Sequence, residues 1–284
     1  MEANTRVDRP PANELQHDVV LSPFGATVTD MVEAARCAED SGFSGVMTYD
    51  HLTGTMLDRG SSNDPFVVLG AIAAVTNRVR VGPLVANMMN RHPAQLAVAM
   101  SSLQSLSAGR AVLGLGSGSA PGSRFAGEHR TVGIQLLDGP GRARRLEESI
   151  RLIRDTWSGR NAFSGEFFSI EEPGLGLVET APPPIIIGAS GPKTVKLALS
   201  HADGVNITTA IANGPKLAEL LALVHTHERR ATFETSIHIP MDGAHPIGGE
   251  LPAIEPGYLD RRILAVSAPF DLAAIARVGA ELDL

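Results

Sequence analysis

The sequence is poor in several residue types, and each scarcity excludes a class of protein. Cysteine occurs once, at Cys37, so the chain can form neither an internal disulfide nor a cysteine-based zinc site. A single cysteine is also typical of a reducing compartment, and we expect a cytoplasmic location. No apolar run approaches the roughly 20 residues that a bilayer-spanning helix needs, so no membrane segment is expected.

Aromatic side chains and positive charge are also too scarce for a typical nucleic-acid-binding protein. Aromatic residues make up 4% of the chain, and the formal net charge is −7. Single-stranded nucleic acids stack on aromatic rings, and a phosphate polymer is repelled by a negative protein. The composition, with 43% hydrophobic and 19% charged residues, is that of a folded globular domain. We therefore expect a small-molecule substrate and no nucleic-acid partner.

Short apolar segments alternate with helical patterns through the first 115 residues. Strands are predicted over 18–22, 43–49, 78–86 and 111–115. Helices are predicted to begin near Thr27 or Thr29, at Asp64-Pro65 and at His92-Pro93. Each start combines a capping residue with proline or with an apolar stripe. Strands of this kind, buried on both faces and separated by helices, are typical of a parallel α/β fold.

The second half continues this alternation less regularly. A loop is predicted over 116–141, an amphipathic helix over 142–157 and a small hairpin over 163–170. Further strands are predicted over 184–187, 205–207, 235–239 and 262–266. Eight strands with intervening helices favour a closed (β/α)8 TIM barrel, a fold that this length permits as one domain. We expect a loose N-terminal arm over 1–16 and a single barrel domain over 17–284, with an insertion around 116–180.

Three familiar motifs are incomplete. Gly114-Leu-Gly116-Ser-Gly118-Ser lacks the third glycine of the dinucleotide fingerprint. The segment 188–192 lacks the fifth-position glycine of a nucleophile elbow. His225 and His227 are two residues apart on a predicted helix, so their side chains face apart rather than towards one metal. We therefore expect no NAD site, no serine nucleophile and no metal site.

The ends of the predicted strands carry polar residues and glycines. In an α/β barrel the chemistry lies where the strands end at their carboxyl face. The relevant segments are Tyr49-Asp50-His51, Val85-Ala-Asn87 with Arg91-His92-Pro93, Gly116-Ser117-Gly118-Ser119 and Gly188-Ala189-Ser190-Gly191-Pro192. Each segment also has a structural interpretation: Asp50-His51 can begin a loop, and His92 can cap a helix. Their placement at four consecutive strand ends favours a functional rim.

These segments, with the sequences around them, resemble the luciferase-like flavin monooxygenase superfamily from about residue 20 to residue 206. The resemblance is carried by Ala38-Glu-Asp-Ser-Gly-Phe43, Tyr49-Asp-His51, Asp64-Pro-Phe66, Arg78-Val-Arg-Val-Gly82, Leu106-Ser-Ala-Gly-Arg110, Arg145-Leu-Glu-Glu148, Pro184-Ile-Ile-Ile-Gly188 and His201-Ala-Asp-Gly204. It implies a (β/α)8 barrel with a flavin or deazaflavin at its mouth. The chain looks most like the branch that uses the deazaflavin coenzyme F420, also written F-420.

The resemblance also implies roles for individual residues. In that branch an Asp-His pair after the second strand lies beside the ring, and here the pair is Asp50 and His51. If the protein transfers hydride, His51 is the candidate to hand a proton to the substrate or to stabilise an anionic ring, and Asp50 is the candidate to orient or charge-pair His51. A non-proline cis peptide that supports the ring maps to Leu84-Val85. The other implied cofactor contacts are Asn87, Ser117, Gly118, Gly188, Ala189, Ser190 and Gly191, the last four as a phosphate-binding turn.

The chain departs from the branch at Ser119, where the sugar-phosphate dehydrogenases have an acidic residue. Glu128 or His129 is the candidate replacement, and the sequence places neither. Three functional hypotheses stay open at this point. The first is hydride transfer between F420 and a small organic substrate, the second is an FMN-dependent monooxygenase with a separate reductase, and the third is a flavin-binding protein without catalysis. A homodimer is expected, with the predicted helix over 94–106 as a candidate face.

Overall fold

A computed structural model of the chain describes residues 14–160, 162–172, 174–209, 214–242, 245–246 and 254–284. The strands are β1 Gln16–Leu21, β2 Gly45–Thr48, β3 Arg80–Pro83, β4 Ala86–Asn87, β5 Leu113–Gly116, β6 Phe163–Ser164, β7 Ser169–Ile170, β8 Ile185–Ala189, β9 Gly204–Thr208, β10 Glu234–Asp242, β11 His245–Pro246 and β12 Arg261–Val266. The helices are α1 Val28–Asp40, α2 Pro65–Val75, α3 Pro93–Leu106, α4 Ala126–Thr131, α5 Gly139–Trp157, α6 Pro192–His201, α7 Gly214–His225 and α8 Leu272–Glu281.

The parallel strands form a ring in the order β1, β2, β3, β5, β8, β9, β10, β12 and back to β1. The ring closes because β1 and β12 pair in parallel from Gln16↔Arg261 onwards. The short strand β4 continues β3 after an interruption at Leu84-Val85, and it pairs with β5. Val81 of β3 bridges to Ala111 just before β5. The predicted (β/α)8 barrel is therefore confirmed, including its last two strands, β10 and β12.

Alternate residues of each strand point into the barrel, as the two-residue period of a strand requires. The lumen is filled by the buried apolar side chains of Val20, Met47, Leu84, Val112, Ile186, Ile263 and Ala265. The intervening residues, such as Val19 and Leu21 of β1, pack outwards against the helices. The barrel is thus a filled core, in which the buried Asn206–Ser236 hydrogen bond is a polar contact between β9 and β10.

A cluster of four charged residues closes the amino-terminal end of the barrel. Asp18 accepts hydrogen bonds from Arg80 Nε at 3.0 Å and from Arg261 Nη1 at 2.8 Å. Both arginines also bind Glu234, with Arg80 Nη1 at 2.8 Å from Glu234 Oε2. Burial raises the pKa of the Glu234 carboxyl, but the two arginines lower it further, to about 2. Because this face is opposite the carboxyl ends of the strands, we expect the cluster to contribute to stability and not to catalysis.

The structure differs from the predicted boundaries in two places. Gln16 already belongs to β1, because its N–H donates to the Asp260 carbonyl at 3.0 Å, so the predicted arm over 1–16 ends earlier; residues 1–13 lie outside the described residues. The predicted loop over 116–141 contains α4, and α5 begins at Gly139 because Asp138 caps it. Since α5 packs between α3 and α6, it is one of the barrel helices. The expected insertion around 116–180 is therefore interrupted by α5, and only the segments before and after this helix lie outside the strand–helix alternation.

No helix among the described residues is long and apolar enough to cross a membrane.

Candidate active site

His51 lies at the carboxyl end of β2, paired with a carboxylate from the loop after β5. Its Nδ1 is 2.8 Å from Glu128 Oε1, and the backbone N–H of Leu52 donates to Glu128 Oε2 at 2.9 Å. Glu128 is buried on the short helix α4, whereas the His51 side chain is 20% exposed. The His51 ring packs beside the rings of Phe24, at 5.3 Å, and Phe125, at 4.5 Å. The His51 imidazole is therefore held at Nδ1 by Glu128, and its partly exposed edge reaches the mouth of the barrel.

The electrostatics of this pair favour an ionised carboxylate. Burial raises the pKa of Glu128, but the hydrogen bonds from His51 and Leu52 and the charge of a protonated His51 ring lower it more, so the net pKa lies below its ordinary value. A buried carboxylate bonded to one imidazole nitrogen fixes the ring and stabilises its protonated form. Glu128, one of the two candidates for the acidic residue missing at Ser119, is thus the one that contacts His51.

Asp50, which we expected to orient His51, faces away from it. Asp50 is 2% exposed and accepts hydrogen bonds from the Asn87 backbone at 2.9 Å and from Arg91 Nη1 at 2.7 Å. Asn90 Nδ2 donates to its other oxygen. Asp50 and His51 both follow the end of β2, and they bond to different neighbours. The hypothesis that Asp50 pairs with His51 is wrong: Asp50 instead joins β2 to the segment after β4.

Asn87, a predicted cofactor contact, is largely committed to its own neighbours. Its Nδ2 donates to His129 Nε2 at 2.9 Å, and its Oδ1 accepts from the backbone N–H of Met89 at 3.0 Å. Burial lowers the pKa of His129, a shift that Glu128 partly offsets, so the imidazole is neutral near pH 7 and accepts at Nε2. A contact between Asn87 and a cofactor stays a prediction.

The peptide bond between Leu84 and Val85 is cis, as the resemblance implied. The Leu84 side chain fills the lumen, and Val85 is partly exposed above it. Glycines surround the Val85 side chain: a Cβ added to Gly116 would lie 2.6 Å from Val85 Cγ2, and one added to Gly188 would lie 3.0 Å from Val85 Cγ1. These two glycines therefore provide the space in which Val85 sits at the centre of the mouth.

The loop after β5 begins with two of the predicted contacts, Ser117 and Gly118. Both are partly exposed, and Gly118 has a positive φ of 77°, a conformation that favours glycine. Arg142, at the start of α5, donates from Nη1 to the Gly118 carbonyl at 2.9 Å. The buried Nε of the same guanidinium has no hydrogen-bond partner in the described part of the chain.

The predicted phosphate-binding turn lies between β8 and α6. Ala189 is buried, Ser190 is exposed, and Gly191 is the N-cap of α6 with open space around its Cα. No side chain caps this helix, and Pro192 at the first position lacks an N–H. The backbone N–H groups that follow are therefore free at the positive end of the helix, an arrangement that suits an anionic oxygen.

Three polar residues inside the mouth were not among the predicted site residues. The Tyr49 hydroxyl is 2.7 Å from His238 Nε2, and Thr208 Oγ1 is 3.2 Å from His238 Nδ1. Tyr49 follows β2, while Thr208 and His238 belong to β9 and β10. The signal in the sequence was available, because all three sit at lumen-facing positions near the carboxyl ends of predicted strands.

The other histidines singled out in the sequence have structural roles. His92 caps α3 by accepting from the Ala94 N–H, and His227 caps the turn after α7 by accepting from the Arg229 N–H. The His225 ring stacks on Tyr258 with centroids 3.8 Å apart. Among the described residues, no cluster of three or more histidine, cysteine, aspartate or glutamate side chains is placed to hold a metal ion.

Exposure divides the predicted site residues into two sets. Asp50, Leu84, Asn87 and Ala189 are buried, and they shape the mouth from below. His51, Val85, Ser117, Gly118, Gly188, Ser190 and Gly191 are partly or fully exposed around the rim. The rim combines an imidazole–carboxylate pair, an apolar centre and an uncapped helix end. Such an arrangement is suitable for proton transfer beside a bound ring with a phosphate tail.

Comparison with known proteins places this geometry in a family. The model for luciferase-like monooxygenases matches residues 10–241. An F420-dependent glucose-6-phosphate dehydrogenase of Nakamurella multipartita is 34% identical over 203 residues, which are 71% of this chain and 57% of the relative. An F420-dependent hydroxymycolic acid dehydrogenase of Mycobacterium tuberculosis is 35% identical over 206 residues, which are 72% of this chain and 56% of the relative. The chain thus spans little more than half the length of these curated relatives.

The solved structures agree with the barrel. An F420-dependent secondary alcohol dehydrogenase in complex with an F420-acetone adduct superposes with a TM-score of 0.75 at 18% identity, covering 94% of this chain and 98% of that chain. This likeness shows the same fold. From the match over residues 10–241 and the sequence identity to the curated relatives, the chain belongs to the luciferase-like monooxygenase family.

Proposed function

We propose that the protein is an oxidoreductase that uses coenzyme F420 and transfers hydride to or from a small organic substrate. The observation that carries the proposal is the His51–Glu128 pair, held at 2.8 Å at the mouth of a barrel of this family. The relatives named above as F420-dependent dehydrogenases support the choice of cofactor. Because this chain spans little more than half of their length, their substrates are not transferred to it.

The mouth fits such a cofactor in two respects. The uncapped end of α6, with open space at Gly191, suits the phosphate of the cofactor tail. The unpartnered Arg142 Nε, beside the Gly118 loop, is a cationic donor that an acidic tail or ring oxygen can satisfy. Val85, with the backbone of Ser117 and Gly118, would then support the ring. When bound, F420 supplies a two-electron hydride acceptor or donor, and the protein supplies position and protons.

His51 and Glu128 are proposed as the acid–base pair. With Nδ1 held by Glu128, the Nε2 edge of His51 is the one that can exchange a proton with a substrate oxygen. The Glu128 carboxylate stabilises the protonated ring and holds it against Phe24 and Phe125. Both residues therefore handle the proton that accompanies hydride transfer.

The test uses substitutions that remove one function each. In F420-loaded enzyme screened against small alcohols, aldehydes and ketones, we expect His51→Asn to lower turnover by about 100-fold or more, within the usual range for a general acid or base. Glu128→Gln keeps an acceptor for Leu52 but loses the charge, and it should cost about 10-fold or more. F420 affinity should change little in both variants.

A matched control is available on the surface. His201 and Glu147 form a similar pair on α6 and α5, with 3.6 Å between Nε2 and Oε1, and both side chains are well exposed. His201→Asn and Glu147→Gln should leave turnover unchanged. Turnover that survives His51→Asn would contradict the assignment of the acid–base pair.

Several finer predictions belong with this proposal. An FMN-dependent monooxygenase with a separate reductase is the competing function, and it would use the same helix end. A homodimer and a cytoplasmic location are also proposed. Most apolar side chains of α3 are buried against the barrel, which leaves Val98 and Leu106, with Val67 of α2, as exposed apolar residues for a dimer face. Sedimentation of the wild type and of Val67→Glu tests that face: a dimer that persists in the variant counts against it.

A further inference from the structure

The hydrogen-bonded chain Tyr49–His238–Thr208 crosses the barrel mouth. In the ring of strands, β2 and β10 are separated by β1 and β12, so the bond from Tyr49 to His238 spans the lumen and does not follow the sheet. His238 is then bonded to Thr208 on the neighbouring strand β9, at 3.2 Å. The chain lies above the apolar lumen residues, against which Tyr49 packs. It therefore forms a polar floor to the mouth.

This floor lies directly beside the proposed acid–base pair. The Tyr49 and His51 rings meet edge to face with centroids 6.5 Å apart, and Phe24 stacks on Tyr49 at 6.2 Å. Tyr49 and His238 are both partly exposed, as residues facing a cleft are. The Tyr49 and His51 side chains are thus neighbours at the mouth.

All three members of the chain are uncharged near neutral pH. Burial lowers the pKa of His238 to about 4. Burial also raises the pKa of the Tyr49 phenol well above its ordinary value. A neutral imidazole has one N–H and one acceptor nitrogen, so the direction of the hydrogen bonds depends on which nitrogen carries the proton.

The two tautomers of His238 give Tyr49 opposite roles. With the proton on Nε2, His238 donates to the Tyr49 oxygen, and the phenolic hydrogen is free to donate to a ligand. With the proton on Nδ1, Tyr49 donates to His238, and the phenolic oxygen is free to accept from a ligand. Thr208 accommodates both, because a hydroxyl can donate to Nδ1 or accept from it. The floor can therefore offer a donor or an acceptor without any change of charge.

We propose that Tyr49, held by His238 and Thr208, is a second substrate-contacting residue, which binds the reacting oxygen of an uncharged alcohol and of its carbonyl product in turn. When His51 is protonated, the oxygen of an alcohol accepts from His51 Nε2 and its one hydroxyl hydrogen is donated to Tyr49, whereas a carbonyl oxygen accepts from both residues. The tautomer of His238 follows the oxidation state of the substrate. This inference rests on the proposed function, since it concerns the substrate of the same site.

The test reads the His238 tautomer by ¹⁵N–¹H correlation in F420-loaded protein with ¹⁵N-labelled histidine. Two complexes in which no hydride can be transferred are compared: oxidised F420 with acetone and reduced F420 with isopropanol. We expect the ratio of the Nε2–H to the Nδ1–H form to be at least about twofold higher with acetone, as a population shift driven by differential binding. His238→Gln assigns the signal.

Two tyrosine variants complete the design, because the chain has only two tyrosines. Tyr49→Phe should abolish the difference between the complexes, and Tyr258→Phe, whose ring stacks on His225 outside the mouth, should preserve it. Equal tautomer ratios in the two complexes, or a difference that persists in Tyr49→Phe, overturn the inference.

The same samples separate this inference from the proposed function. If F420 binds and the tautomer ratio does not respond, the inference fails while the proposed function stands. If F420 does not bind but acetone and isopropanol still shift the ratio in opposite directions in the unloaded protein, the substrate-oxygen site stands and the cofactor assignment fails.

Discussion

The fit between Val85 and the glycines around it yields a quantitative prediction. A Cβ on Gly116 would lie 2.6 Å from Val85 Cγ2, closer than carbon atoms approach without a shift. Overpacking of this kind costs typically 1–3 kcal/mol, and the reduced freedom of the unfolded chain on Gly→Ala returns about 0.4–1 kcal/mol. We therefore expect Gly116→Ala to lower the free energy of unfolding by about 1–2 kcal/mol.

A second substitution identifies the cause. Val85→Ala removes both methyl groups, including Cγ2, which faces Gly116. By itself it should cost about 1 kcal/mol or somewhat more, because Val85 is only partly buried. In the double variant the clash is gone, so the two effects should not add. We expect the double variant to be about 1–2 kcal/mol more stable than the sum of the two single effects predicts, a coupling within the range for residues in contact.

The assay is urea unfolding of the four proteins, read as the midpoint at constant slope. Gly122→Ala is the matched control, because a Cβ there meets nothing within 4 Å; it should change stability by less than about 0.5 kcal/mol. Additive effects of Gly116→Ala and Val85→Ala would refute the packing explanation. A stable Gly116→Ala protein with weakened F420 binding would show instead that the glycine serves the approach of the cofactor.

Three further predictions concern carboxylates that organise the barrel. Glu39 accepts the backbone N–H groups of residues 77–79, so Glu39→Gln should cost about 1.5–3 kcal/mol in urea unfolding, the range for hydrogen bonds to a charged group. The pKa of Glu234 falls to about 2 in the folded protein, so its contribution is present above about pH 4.5 and is lost as the pH falls towards 2. Between about pH 4.5 and 2, the free energy of unfolding of the wild type should therefore fall by up to about 3 kcal/mol more than that of Glu234→Gln. An equal fall in the two proteins would count against the charge cluster. Glu148 accepts from three backbone N–H groups of residues 166–168, so Glu148→Ala should speed amide hydrogen exchange in the β6–β7 hairpin, and unchanged exchange there would show that the hairpin holds without it.

The order of strands and helices was predictable from the sequence because it depends on local patterns. Short apolar runs, capping residues such as Asp64 and His92, and glycines after helices mark each element where it occurs. The end of the predicted N-terminal arm was harder to place. Gln16 joins β1 through a bond to the Asp260 carbonyl, a contact across more than 240 residues that no local pattern records.

The members of the site could be predicted only in part, for the same reason. His51 was found because a strand end is a local feature. Its partner Glu128 is 77 positions away on a short helix within a segment predicted to be a loop, so the sequence named it as a candidate but could not place it. Asp50 was expected to pair with His51 because the two form an Asp-His pair in the family that the chain resembles, whereas in the structure it binds Arg91. The Tyr49–His238–Thr208 chain joins three strands and becomes visible only when the barrel is closed.

Whether the mouth of this barrel binds F420 is tested by a titration of the purified protein with F420, FMN and FAD. Binding is followed by the shift in cofactor absorbance, in the wild type and in a variant with the helix end blocked, Gly191→Asp. We expect saturable F420 binding at least about 10-fold tighter than FMN binding, a difference of about 1.4 kcal/mol. We also expect a marked loss of F420 affinity in Gly191→Asp, where a carboxylate occupies the proposed anion position. Tight FMN binding without F420 binding would contradict it.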